Sequence, residues 1–212
     1  MTLVRPMTEA DIDAVATIRV RGWQAAYAGI VPSGYLDAMS VEEDAARRRD
    51  FFARSTGRVE NLVAVDGETI TGWAAHGPYR GDDATPADGE LYAIYVRPGL
   101  IGTGIGRALT DAVLASAAAR GFTRMRLWVL ADNARARRFY ERAGFAPDGA
   151  SQEEDYDGTL LTEVRYASST RASAASAASR SRASSLAERS TGTARRSASS
   201  PSPSTQASAI RR

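Results

Sequence analysis

The stretch Glu90–Leu109 reads ELYAIYVRPGLIGTGIGRAL, and the fold follows from how it divides. Glu90 to Val96 predicts a strand, being β-branched and aromatic without a breaker. Pro98 and Gly99 end it, because proline has no N–H for the ladder. Gly102, Gly104 and Gly106 then alternate, and a helix opens with Leu109 and Val113 on one side. A strand that passes through a glycine turn into a helix N-terminus presents free N–H groups and about half a positive charge. Without Cβ atoms a diphosphate can approach the main chain closely. The stretch therefore predicts that a phosphorylated ligand is gripped by backbone.

Three phosphate-binding turns compete for it. A P-loop needs Lys-Ser or Lys-Thr after its last glycine, but Ile105 follows Gly104 and Arg107 follows Gly106. A dinucleotide fingerprint counted from Gly102 ends on Arg107 instead of glycine, and position 126 holds Arg where a ribose-binding acid belongs. The third turn fits. Val96, Pro98, Gly104 and Gly106 resemble the V-x-P…G-x-G coenzyme A loop of the GCN5-related N-acetyltransferases. Ile101 departs from that family, which usually has Gln or Arg there.

Asn133–Phe145, NARARRFYERAGF, carries the second motif. Asn133, Ala136, Phe139, Tyr140, Gly144 and Phe145 match the same family's N-x-x-A-x-x-F/L-Y-x-x-x-G-F pattern. Read without the family, it is a well-capped surface helix. Asn133 is an N-cap, Ala136, Phe139 and Ala143 form an apolar stripe, and Gly144 is the left-handed stop. Only Tyr140 is unused by that account. A strand at Arg124–Leu130 joins the two motifs, and the resemblance covers roughly Leu3 to Tyr166.

The remaining elements are coarser. Leu3–Arg5 predicts a short strand, and Thr8-Glu9-Ala10-Asp11 a capping box opening a helix to about Ala26. That helix has two apolar stripes: Ile12, Val15, Ile18 and Gly22, and Ala16, Val20, Trp23 and Tyr27. One stripe suffices for packing, so Trp23 and Tyr27 are candidates to line a substrate pocket, or else ordinary core. Ala28–Tyr35 reads as loop, and Ser40-Val41-Glu42-Glu43 opens a helix to about Arg54. Asn61–Val65 and Thr69–His76 form a hairpin about Asp66-Gly67. Gly81–Asp88 is an acidic loop, Gly149–Gly158 a polar excursion and Thr159–Tyr166 a last strand. The order β-α-α-β-β-β-α-β-α-β-β fits an α/β fold. By the resemblance it is a mixed, largely antiparallel sheet with helices on both faces and splayed central strands.

The 212 residues include no Cys, so disulfides are excluded. No apolar run approaches the roughly 20 residues of a membrane span, and the N-terminus does not read as a signal sequence, so a cytoplasmic protein is expected. All 27 basic residues are Arg, which leaves the N-terminal amine as the chain's only amine. The net charge of +2 conceals a split into −5 over residues 1–166 and +7 over residues 167–212. An acidic domain favours a cationic partner over nucleic acid. Residues 167–212, almost all Ser, Ala, Arg, Thr and Pro, predict a disordered tail outside a domain of residues 1–166.

The resemblance implies an N-acetyltransferase that moves an acetyl group from acetyl-CoA, without a metal, to a primary amine of a small molecule or protein in a ternary complex. It places the coenzyme against Ile94, Tyr95, Val96, Ile101, Gly102, Thr103, Gly104, Ile105, Gly106, Arg107, Asn133 and Tyr140. Main-chain N–H groups near Ile94–Val96 would polarise the thioester carbonyl, and Tyr140 would protonate the leaving thiolate. Glu90 is the candidate base, with Asp82, Asp83 and Asp88 adding a negative field around it. His76 or a water relay is the alternative. A non-catalytic coenzyme A sensor and, more remotely, a nucleotide-binding module are the other function classes. Members of the family often pair, which allows a homodimer.

Overall fold

The structure is a computed structural model and describes residues 2–170. The expected tail lies, from residue 171 on, outside the described residues. Seven strands form one sheet in the order β1-β2-β3-β4-β5-β7-β6. They are β1 (Leu3–Pro6), β2 (Glu60–Asp66), β3 (Thr69–Pro78), β4 (Asp88–Val96), β5 (Arg124–Leu130), β6 (Ala146–Tyr156) and β7 (Thr159–Ser169). The helices are α1 (Ile12–Ala26), α2 (Ser33–Asp37), α3 (Val41–Ala53), α4 (Ile105–Ala119) and α5 (Ala134–Arg142). Every strand pair is antiparallel except β4–β5.

Period-two alternation sends β2 to both sides of the sheet. Val63 and Val65 pack with Val15 and Ile18 of α1, whereas Leu62 and Ala64 pack with Leu109 and Val113 of α4. A sheet covered on both faces needs apolar residues on both, which is why β2 and β3 read as nearly continuous apolar runs. Helix α3 backs α1 through Ala45, Ile12 and Ala16. The caps form as the sequence predicts. The Asp11 carboxylate accepts from Thr8 N–H at 2.7 Å, and Ser40 Oγ accepts from Glu43 N–H at 3.2 Å.

The central strands part. Strands β4 and β5 pair only where Asp88, Gly89 and Glu90 face Arg124, Met125 and Arg126. Beyond Glu90, β4 stays on β3, while β5 is paired along its whole length to β7. The register of β3 against β4 slips between Ala75 and His76, which leaves Tyr92 as an extra residue on β4. A bulge of this kind bends and twists its strand, and it lies where the two strands begin to diverge.

Three expectations are corrected. Part of the Ala28–Tyr35 loop is the start of α2, whose Leu36 is buried with Val31 and Tyr156. The polar excursion at Gly149–Gly158 is most of β6, an edge strand. It holds by pairing with β7 across the Asp157-Gly158 turn, although few of its residues favour strands. Strand β7 runs past the expected end at Tyr166: Ser168 and Thr170 are buried, and Thr170 Oγ1 donates to Phe122 O at 2.8 Å. Among the described residues no helix is long and apolar enough to cross a membrane.

Candidate active site

The glycine turn hangs from the open end of β4. Arg97 N–H donates to Thr71 O at 3.0 Å, Pro98–Leu100 makes one tight turn, and Thr103 Oγ1 donates to Leu100 O at 2.7 Å. Gly102 and Gly104 take φ of 93° and 95°, left-handed values that a side chain makes costly. Gly104 is the N-cap of α4. The first N–H of α4 to reach a helix carbonyl is that of Ala108, on Gly104 O at 3.0 Å. The N–H groups of Ile105, Gly106 and Arg107 precede it and are left without a helix carbonyl, as at any helix start. Ile105 itself is buried in the core, Ile101 is 40% exposed at the loop's surface, and the Arg107 guanidinium is held by Asp111 at 3.1 Å.

Helix α5 closes against this turn. A Cβ on Gly106 would lie 3.3 Å from the Phe139 ring, so the two helices touch there. Asn133 spends its side-chain oxygen on the cap, accepting from Ala136 N–H at 3.0 Å. Gly144 ends the helix at φ 91°. Tyr140 is partly buried, and burial followed by the neighbouring Tyr27 pushes its ionisation well up. Burial raises both Tyr27 and Tyr95, which lie close enough to affect each other's ionisation. Three tyrosines from α1, β4 and α5 thus converge beside the parted strands. Tyr95 reaches α1 because residue 22 is glycine: a Cβ there would come within 2.7 Å of the Tyr95 ring.

A pocket of about 690 Å³, its mouth included, opens on the α1 side of the wedge. Its near wall is Arg19, Trp23 and Tyr27, its floor includes Tyr92 and Tyr95, and its far wall is Trp128, Glu154, Tyr156 and Glu163. Of these, sequence reading named Trp23 and Tyr27 for an acceptor pocket, Glu90 as a base and Tyr95 for the coenzyme. It missed Trp128, Glu154, Tyr156 and Glu163. The i, i+2 spacing of Glu154 and Tyr156 carries a signal only once β6 is known to be a strand.

Glu90 borders this pocket but is 2% exposed. Its carboxylate accepts from Arg80 Nη2 at 2.8 Å, and from Arg80 Nε and the Arg80 N–H at 3.2 Å. Two of the three acids expected around it, Asp83 and Asp88, are paired with arginines. Asp88 holds Arg124 at 2.6 Å and stands 3.6 Å from Arg126, while Asp83 bridges Arg126 at 2.9 Å and Arg165 at 3.1 Å. Those ion pairs pin the 79–88 loop to β5 and β7. His76 is excluded as the base by position. It is fully buried on the other face of the sheet, its Nε2 is 3.0 Å from Ser116 Oγ of α4, and burial lowers its pKa to about 4.

A parted β4–β5 pair, a glycine turn and a tyrosine between them define the acyl-CoA-dependent acetyltransferases. Residues 22–145 match the family model described as Acetyltransferase (GNAT) family, and the chain belongs to that family. It is 31% identical over 166 residues to the uncharacterized N-acetyltransferase YuaI of Bacillus subtilis, spanning 77% of this chain and 91% of that one. It is 52% identical to the mycothiol acetyltransferase of Beutenbergia cavernae over 61 residues, which are 29% of this chain and only 20% of that relative. The PaiA N-acetyltransferase of Thermoplasma acidophilum in complex with coenzyme A has the same fold, with a TM-score of 0.60 at 20% identity over 80% of this chain and 99% of that one. The ribosomal-protein-alanine N-acetyltransferase of Brucella melitensis also shares it, with a TM-score of 0.63 at 24% identity over 79% and 99%.

Proposed function

We propose that this protein transfers the acetyl group of acetyl-CoA to a primary amine by direct attack within a ternary complex. The observation that carries the reading is the wedge after Glu90, which has a main-chain cradle on one side and an aromatic pocket on the other. The pantetheine arm would lie along the released edge of β4, where N–H groups of Ile94–Val96 polarise the thioester oxygen. The amine enters from the pocket, its nitrogen bonds the carbonyl carbon, and the tetrahedral intermediate expels the thiolate. The nitrogen loses a proton and the sulfur gains one.

In this reading Tyr140, carried on α5, donates to that sulfur. A free thiol has a pKa of about 8.5 and tyrosine about 10. The upward push on Tyr140 widens this gap, so its role is a hydrogen bond to the departing thiolate with proton transfer completed late. Glu90 can act on the amine only by giving up part of its hold on Arg80. The scheme uses acetyl-CoA as co-substrate and no metal, and cytoplasmic residence suits that co-substrate.

The test is thiol release from acetyl-CoA with a panel of primary amines, run beside calorimetric titration of coenzyme A. Binding with amine-dependent thiol release supports the reading. Binding with no turnover on any amine would make the protein a coenzyme A sensor.

A further inference from the structure

The pocket's charged groups narrow the acceptor, given that the pocket is the acceptor site as read above. Its two guanidiniums are committed to carboxylates of the protein. Arg19 donates to Asp44 at 2.7 Å, with both residues buried, and Arg48 donates to the same carboxylate at 2.6 Å. Arg80 is held on Glu90 and lies 4.0 Å over the Tyr92 ring. An anionic group on the acceptor would have to compete with these pairs for a guanidinium.

The far wall is acidic, though Glu163 is itself partnered. Glu163 pairs in register with Gln152, whose amide donates to it at 2.6 Å. Glu154 is then its diagonal neighbour on the same face of the hairpin, roughly 7–8 Å away along the backbone with the Cβ atoms somewhat nearer. Tyr156 follows Glu154 by two residues and shares that face. Around them stand aromatic rings: Trp23 is 4.6 Å from Tyr27 and 6.1 Å from both Tyr35 and Tyr156, and Tyr35 is 5.5 Å from Tyr156. Ring faces next to carboxylates suit a cation with a methylene stem. Beyond burial, which raises them all, the tyrosines feel both signs: Arg19 lowers Tyr27 and Tyr95 and Arg80 lowers Tyr92 on the near side, while the carboxylates act on the far side. Burial raises Tyr27 and Tyr156, Glu163 raises both further, and Glu154 adds to Tyr156.

We infer that the acceptor is a dicationic alkyl amine, a diamine or longer polyamine with no carboxylate. The reacting amine lies beside Tyr27 and Tyr140 near Glu163, and the second ammonium rests in the Trp23–Tyr156 corner on Glu154. An extended chain of about four to six carbons lets two ammonium groups address two carboxylates that stem from positions roughly 7–8 Å apart.

The test compares 1,5-diaminopentane, n-pentylamine and 5-aminopentanoate as acceptors for the full chain with acetyl-CoA. The three differ only at the far end, which is cationic, neutral or anionic. The expected kcat/KM falls from diamine to monoamine to amino acid, by about 10-fold at each step, the size of one charge-assisted hydrogen bond. In the Glu154→Gln variant the diamine's advantage over the monoamine should shrink by about 10-fold, through KM and not kcat. If 5-aminopentanoate equals or exceeds the diamine, or if Glu154→Gln leaves the advantage intact, the inference falls while acetyl transfer stands. If coenzyme A binds but none of the three amines nor any wider panel is acetylated, the functional reading falls and takes the inference with it.

Discussion

The two sides of the β4 wedge are built by different rules. The side proposed for the coenzyme centres on one continuous stretch, Val96 to Arg107, which presents main-chain N–H groups. Apart from the Arg97–Thr71 bond, it is tied by hydrogen bonds between residues a few positions apart. The acceptor side takes side chains from α1, β4, β5, β6 and β7, residues as far apart as Arg19 and Glu163. Backbone chemistry needs only that certain residues lack a Cβ or an N–H, and this is visible locally. A pocket of side chains exists only after long-range pairing, and each member alone looks like ordinary core or solvated surface.

The contrast predicts where damage falls. The largest effect should come from Gly104→Val, a β-branched residue at φ 95° in the cradle. Coenzyme A affinity should drop more than about 1,000-fold, from backbone strain plus a blocked approach. An undiminished affinity by calorimetry in the folded variant would place the coenzyme elsewhere and erase the contrast.

Next is Glu90→Gln. Removing one partner of a buried ion pair leaves Arg80 uncompensated, so unfolding free energy from urea titration should fall by about 3–4 kcal/mol. If stability holds and kcat alone falls, Glu90 belongs to the chemistry as a base, and its salt bridge is incidental.

His76 tests the coenzyme-side core. Its folded pKa of about 4 lies below the unfolded value of about 6.5, so the unfolded chain binds the proton first. The contribution is complete above pH 6.5 and is lost as pH falls from about 6.5 to 4, on the order of 3 kcal/mol. Asp11 and Asp88, both lowered to about 2 chiefly by hydrogen bonds from Arg5 and Arg124, lose theirs only between about pH 4 and 2. Urea midpoints against pH should therefore decline in two stages, and His76→Gln should abolish the first. A single-stage curve in the parent protein would mean that His76 can be protonated in place.

Tyr140→Phe is the smallest. It should lower kcat about 10- to 100-fold with coenzyme A affinity near that of the parent. A loss of affinity would move Tyr140 from the reaction to the coenzyme side's binding surface, and an unchanged kcat would remove it from the mechanism.

What the sequence made legible follows the same division. Strand β5 was readable to its ends at Arg124 and Leu130, and so were the Asn133 cap and the Gly144 stop of α5, because each signal lies within a few residues. The pairing of Trp23 with Tyr27 was visible as an i, i+4 step, though not that Tyr156 would complete the cluster. Strand β6 was hidden because its residues are polar and only β7 makes them a strand. Glu90 looked like a free acid among acids because Arg126 and Arg165, which neutralise Asp83, lie some forty and eighty positions away.

The hairpin of β6 and β7 turns at Asp157 and Gly158, with φ of 56° and 83°, and β6 forms the outer border of the sheet. It carries Glu154, Tyr156 and Glu163 and no part of the glycine turn. Selection can therefore rewrite the hairpin's inward positions while the donor grip stays as it is. Under the proposed reading, grafting the hairpin from a relative would change part of the acceptor pocket while leaving the glycine turn untouched.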